Sequence, residues 1–254
     1  MIRGNNTSEE PIILAVDTSA KATSLAVARG GALLRSVHQL ADQKRSEALW
    51  GDINALLAEL DIVIGDVDVL AVCVGPGGFT GLRVGMAAMM GFSAATGKAI
   101  VGVSSLEATA FATGPAAAVC AIVNAYKDEV YSQLFSFDGD GVPVAMNEPV
   151  VSTVEKAIER VATEYDLVFA SNGAEAVSEE INRVLAARHQ AGLRLRQVEH
   201  GMADAIARLS FLKYKRGKTQ TAASLKACYV RPSEAEIKLS LGLLGSKIKR
   251  SMKQ

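Results

Sequence analysis

Neither sign of charge prevails in this chain: 27 Lys and Arg residues face 27 Asp and Glu residues among 254, a formal net charge of zero. No net charge therefore steers the chain onto nucleic-acid phosphates or an anionic membrane, and an RNA role would need help from elsewhere. Cysteine is scarce too. Cys73, Cys120 and Cys228 lie far apart, the first two in apolar runs, which leaves neither a disulfide framework nor a cysteine metal motif. The three histidines, His38, His189 and His200, share no ligand spacing, and none adjoins a cysteine as a thiol catalyst requires. No apolar run reaches the roughly 18 residues of a membrane span, and the leader MIRGNNTSEEP lacks the apolar stretch of a signal peptide. The expected location is the cytoplasm, without a membrane partner. With 49% hydrophobic and 21% charged residues, the chain has the balance of a folded globular protein.

Apolar periodicity gives the order of elements. IILAV after Pro11 reads as a central strand ending in Asp17-Thr18-Ser19, and strands over Thr23–Ala28 and Ala32–His38 are joined by Arg29-Gly30-Gly31, a hairpin turn. Leu49, Trp50, Ile53, Leu56, Leu57 and Leu60 recur at three- and four-residue spacing and predict an amphipathic helix over Ser46–Leu60. VDVLAVCVG follows as a buried strand, then a glycine-rich turn and a helix over Thr80–Thr96 stopped by Gly97. Ala99–Val103 is a fifth strand, and Ser104 with Glu107 has the spacing of a capping box for a third helix. The first half is thus βββαβαβα. Gly114-Pro115 marks the expected boundary between an N-terminal subdomain, 1–114, and a smaller α/β subdomain, 115–236, with a basic tail over 237–254. Strands AVCAIVNA, EVYSQLFSF and LVFA, a turn at Asp138–Gly141, and helices over Ser152–Thr163, Ala174–Arg188 and Met202–Lys215 are expected beyond the boundary. No repeat of the first half is visible in the letters.

Gly75-Pro76-Gly77-Gly78-Phe79-Thr80-Gly81-Leu82-Arg83-Val84-Gly85 joins a strand to a helix N-terminus, where free N–H groups and the helix dipole attract an anion. Two readings stand. Thr80 and Arg83 complete a phosphate or nucleotide turn, or the glycines only permit a tight turn and a close helix approach. It is neither a P-loop nor a dinucleotide fingerprint. For Asp17, Thr18 and Ser19 the alternatives are contact with metal and phosphate, or a turn bonded to its own backbone. In the helix after the glycine turn, Val84, Ala88, Gly91 and Ala95 form a strip of small residues beside Met86, Met89 and Met90. With Trp50, Ile53 and Leu57 of the preceding helix they are the candidate partner interface, or else core.

ILAVDTSAKATSLAV, GPGGFTGLRVG and AIVGVSSLEATA resemble in order and spacing the TsaB (YeaZ) family of tRNA threonylcarbamoyladenosine synthesis, over about Ile12 to Phe137, and Tyr229-Val230-Arg231-Pro232 echoes its C-terminal end. The resemblance implies an α/β protein of the actin-like ATPase (ASKHA, ribonuclease H-like) fold with two subdomains. It implies a non-catalytic partner of a catalytic paralogue, TsaD, which transfers threonylcarbamoyl to the adenosine beside the anticodon. TsaE, an ATPase, joins the complex, TsaC makes the adenylate, and tRNA is reached through the complex. A homodimer through the same helices is the alternative pairing. No cofactor of its own and no metal are implied, with ATP or ADP expected only at the complex interface.

In the paralogue the segment matching Val103–Thr109 reads Val-Asn-His-x-Glu-Gly-His, with two imidazoles on one helical face for a metal. Here Ser105 and Thr109 stand at those positions, and hydroxyls are poor replacements. Lys21-Ala22 replaces an acidic pair, and Asn124-Ala125-Tyr126-Lys127 replaces a Gly-Gly turn. The chain also departs from TsaB proteins: Gly78 stands for Ser, and Asn124-Ala125-Tyr126 for Asp-Ala-Arg before Glu129-Val130-Tyr131, which suggests a lost ion pair. The competing readings are a stand-alone metallopeptidase-like enzyme or acyltransferase of this fold, and a sugar or acetate kinase.

Overall fold

The computed structural model describes residues 10–40, 45–126, 128–161, 167–171, 175–188, 193–198 and 202–231. The leader, Lys127, His189, His200, Pro232 and the tail 237–254 lie outside the described residues.

The first strand, β1 (Ile12–Asp17), is buried at every position because it lies in the middle of a sheet covered on both faces. It pairs antiparallel with β2 (Ala22–Arg29) and parallel with β4 (Val69–Gly75). β3 (Ala32–Leu40) and β5 (Ala99–Ser104) are the edges of the order β3-β2-β1-β4-β5. Alternation then assigns the faces. Leu14, Val16, Leu70 and Val72 point to α1 (Arg45–Ala58) and α2 (Phe79–Thr96), where Leu49, Ile53, Leu56, Met89 and Phe92 complete one core. Ile13, Ala15, Ala26, Ala28 and Ala71 point the other way and meet Ile206 and Leu209 of α6 (Ala203–Lys215). Four alanines on that face let α6 approach closely.

The second half repeats this plan. β6 (Ala118–Tyr126) pairs antiparallel with β7 (Glu129–Phe137) and parallel with β10 (Leu167–Ser171). β8 (Pro143–Ala145) and β9 (Val150–Ser152) pair with β7, and β11 (Arg194–Gln197) with β10. The order β11-β10-β6-β7-β8 is that of the first sheet traced from its other edge. α4 (Val154–Arg160) and α5 (Glu175–Arg188) cover one face. The other is covered by α3 (Ser105–Thr113) of the first half, through Leu106 and Ala110 against Val119, Ala121 and Ala170. The two closing helices are therefore exchanged: α3 lies on the second sheet, α6 on the first, and they touch each other.

Ser104 caps α3 by accepting a hydrogen bond from the Leu106 N–H at 3.2 Å, but Glu107 does not close the expected box. Its carboxylate pairs with Lys213 of α6 at 2.6 Å, across the exchanged helices. The expected Ser152–Thr163 helix is shorter, with Thr153 as its cap and Val161 beyond its end.

After α6 the chain continues as a strap to Arg231, with a turn over Thr221–Leu225. Gln220 forms a β-bridge with Ile100, and its Oε1 accepts from the Gly102 N–H at 2.9 Å, which closes the open edge of β5.

Candidate functional site

β1 and β4 run parallel, so their C-terminal turns lie side by side. The contact between them is tight. Thr18 donates its hydroxyl to the Gly81 carbonyl at 2.7 Å, and the Gly78 N–H donates to the Ser19 carbonyl at 2.7 Å. A Cβ on Gly77 would stand 2.7 Å from Ser19 O, and one on Gly85 would stand 2.3 Å from Thr18 Oγ1. Glycine at these two positions is a packing requirement of the junction. Asp17 accepts from the Ser19 N–H at 2.8 Å, an Asx turn. Asp17, Thr18 and Ser19 are only 3%, 3% and 5% exposed. Burial first, then the Asp17 carboxylate, push the Cys73 thiol well above its ordinary value, so it is held as a thiol.

Pro76 follows a cis peptide bond, and its carbonyl accepts the Ser105 hydroxyl at 2.5 Å. Thr109 donates to Ser105 O at 2.8 Å and lies 3.6 Å from Met202 Sδ. Both hydroxyl residues are fully buried. The positions that the resemblance aligned with imidazole ligands are thus occupied by side chains hydrogen-bonded within the core, with a thioether beside them. Among the described residues no group of three or more His, Cys, Asp or Glu is placed to hold a metal.

Of the glycine turn's side chains, Thr80 and Arg83 are exposed and Phe79 is half-buried. Phe79 stacks on Tyr229 of the strap, with ring centroids 4.5 Å apart and planes inclined by 13°. The Arg83 guanidinium lies 4.5 Å from the Phe79 centroid, and its Nε is 3.4 Å from the Tyr229 hydroxyl. Gly78 is the N-cap of α2 without a side-chain cap, which is where the missing serine hydroxyl would act.

The helices expected at a partner surface divide between core and solvent. Ile53, Leu57, Met86 and Met89 are buried against the first sheet, a correction to their expected place on that surface. The apolar stripe of each helix covers its own sheet first. Trp50 is 46% exposed and lies 4.5 Å from Phe92, and Met90 is half-buried. The outer face of α2 is Thr80, Arg83, Ala87, Gly91 and Ala94. A groove of about 480 Å³ runs between α1 and α2 past Trp50, Phe79, Arg83 and Ala87. The contact of Tyr229 with Phe79 has no local signal, because nothing near either residue in the sequence says that position 229 returns to position 79.

Glu129, just after the Asn124-Ala125-Tyr126 segment, pairs with Arg231 at the end of the strap.

A βββαβαβα unit and a second unit of the same plan with one added short strand, β9, about an exchanged helix pair, define a protein of the actin-like ATPase fold, with the turns after β1 and β4 locked together. A family model described as TsaD, tRNA N6-adenosine threonylcarbamoyltransferase, matches residues 35–238. The chain belongs to that family, and its TsaB (YeaZ) resemblance is found again among its relatives. It is 33% identical over 122 residues to the tRNA threonylcarbamoyladenosine biosynthesis protein TsaB of Haemophilus influenzae, covering 47% of this chain and 51% of that one. It is 32% identical over 111 residues to the tRNA N6-adenosine threonylcarbamoyltransferase of Thermodesulfovibrio yellowstonii, covering 38% and 33%. The chain thus spans between a third and a half of these relatives' length. A solved Pseudomonas aeruginosa protein with similarity to peptidase YEAZ superposes with a TM-score of 0.72 at 25% identity, covering 87% of this chain and all of that one.

Proposed function

We propose that this chain is the non-catalytic, activating subunit of the assembly that installs threonylcarbamoyl on the adenosine beside the tRNA anticodon. It works by pairing with a catalytic TsaD. The observation that carries this reading is the state of Ser105 and Thr109. A metal centre at those positions would need lone pairs directed into an open site. Both hydroxyls instead sit in the core, one on the Pro76 carbonyl and one on the Ser105 carbonyl. The matches to proteins named for threonylcarbamoyladenosine synthesis supply the pathway.

The pairing surface in this proposal is the outer face of α1 and α2. Ala48, Gly51, Ala55 and Ala58 on α1 and Ala87, Gly91 and Ala94 on α2 are exposed and small, so a partner helix can approach the backbone closely. Exposed Trp50 and half-buried Met90 add apolar bulk. TsaE as a third component, ATP or ADP held where the subunits meet, tRNA contact through the complex, and homodimers through the same face belong to the same reading.

The test of the surface uses Ala87→Asp, which adds a charge on the exposed face and leaves the core untouched. Met86→Asp does not serve, because Met86 is buried. The substitution is expected to weaken co-purification with TsaD by about tenfold or more while the thermal midpoint stays near wild type. Undiminished co-purification would remove α2 from the interface.

A further inference from the structure

The strap after α6 ties together parts of the molecule that are remote in sequence. Gln220 seals the β5 edge, and Leu225 is buried in the core beneath α1 and α2. The Cys228 N–H then donates to the Val74 carbonyl at 2.7 Å, one residue before the glycine turn. Room for this passage is built into the sheet. A Cβ on Gly75 would stand 3.1 Å from the Cys228 carbonyl, and one on Gly102 would stand 2.9 Å from Leu225. Past Cys228, Tyr229 stacks on Phe79 in the first turn of α2, and Arg231 reaches Glu129 on the second sheet. Phe79 and Arg83, which contact Tyr229, also line the groove between α1 and α2.

We propose that Tyr229 is a positioning residue: through its stack on Phe79 and its bond to Arg83 it fixes the first turn of α2, and the Arg231–Glu129 pair makes that turn dependent on the second sheet. The inference rests on the proposed pairing face only for its consequence, which is that the strap presets this face for a partner. Three features support it. α2 has no side-chain cap at Gly78, so its first turn lacks the usual local restraint. An aromatic stack there replaces a cap with a tertiary contact. Tyr229 itself is 46% exposed, so its ring does not fill the core, and it contacts Phe79 and Arg83.

Hydrogen exchange on the full chain tests the positioning role without any partner. The amides to follow are Gly78, bonded to Ser19 O at 2.7 Å, and Leu82, bonded to Gly78 O at 3.0 Å. Tyr229→Ala is expected to speed exchange at both by about three- to tenfold, the size of a lost aromatic pair. Amides of β6 and β10 should be unchanged. Tyr229→Phe, which keeps the ring, should restore most of the protection, and Glu129→Gln should give a smaller acceleration at the same two amides. Equal exchange in wild type and Tyr229→Ala, or acceleration spread evenly over the chain, would overturn the proposal. A second arm measures affinity for TsaD. Loss in Tyr229→Ala with recovery in Tyr229→Phe supports presetting of the face, and unchanged affinity in Tyr229→Ala overturns that part. If Ala87→Asp also binds normally, it is the pairing face that fails, while the exchange result still decides the strap.

Discussion

Gly77 and Gly85 show how one missing atom shapes the junction of the two turns. The Ser19 carbonyl facing Gly77 is backbone held by a hydrogen bond to Gly78, so it has nowhere to move. Gly77→Ala is expected to cost about 1–3 kcal/mol, measured by chemical or thermal unfolding. Gly51→Ala, in the exposed face of α1 with nothing within 4 Å of the new methyl, should stabilise by up to about 1 kcal/mol. Equal effects at the two sites would contradict the packing account. Asp138 offers a second test at this scale. The Arg216 guanidinium, then the Val142 N–H, hold its carboxyl at about 2, below its ordinary 3.8. A depressed acid stabilises the folded state fully above 3.8, and the contribution is lost as pH falls through 2. In Asp138→Asn the thermal midpoint should therefore vary less between pH 4 and 2 than in wild type; identical slopes would show that the pair is not formed in solution.

At the scale of elements, the sequence was most readable where one signal decided the outcome. β1 and β4 are continuous apolar runs, α2 is stopped by Gly97 in the left-handed region with φ of 69°, and the Gly30 hairpin has φ of 57°. β8, β9 and β11 were not legible. They have three, three and four residues, and β11 reads Arg-Leu-Arg-Gln, with too few apolar positions to show a period. The structural repeat was hidden for the same reason. What the halves share is burial alternation and small residues under a helix, which many different letters satisfy. The junction of Asp17–Ser19 with the glycine turn was legible as two special turns, but not as one interlocked unit. Contacts such as Thr18 to Gly81 and Tyr229 to Phe79 span 63 and 150 positions, and no local pattern encodes them. For α1 and α2 the periodicity gave the helices correctly, yet it could not tell a stripe facing its own sheet from one facing a partner.

The whole molecule is two copies of one plan held together by exchanged helices. The division near residue 114 is accordingly proposed as a boundary between structural repeats, not between parts that fold apart, because each sheet takes its inner helix from the other half. Glu107 and Lys213, each only 16% exposed in their side chains, join those helices, and Arg216 at the C-terminal end of α6 grips Asp138 and Asp140 beside β7. Such a frame is well suited to presenting a fixed outer face, while Ser105, Thr109 and Met202 are buried within it. In the proposed function the chain activates a catalytic partner and performs no transfer itself. The direct measurement is threonylcarbamoyladenosine formed on tRNA in a reconstituted reaction with and without this chain, TsaC, TsaD, TsaE, ATP and substrates held fixed. Product that depends on both this chain and TsaD, with none from this chain when TsaD is omitted, is the predicted result. An unchanged yield without this chain, or product formed by it in the absence of TsaD, would contradict the account.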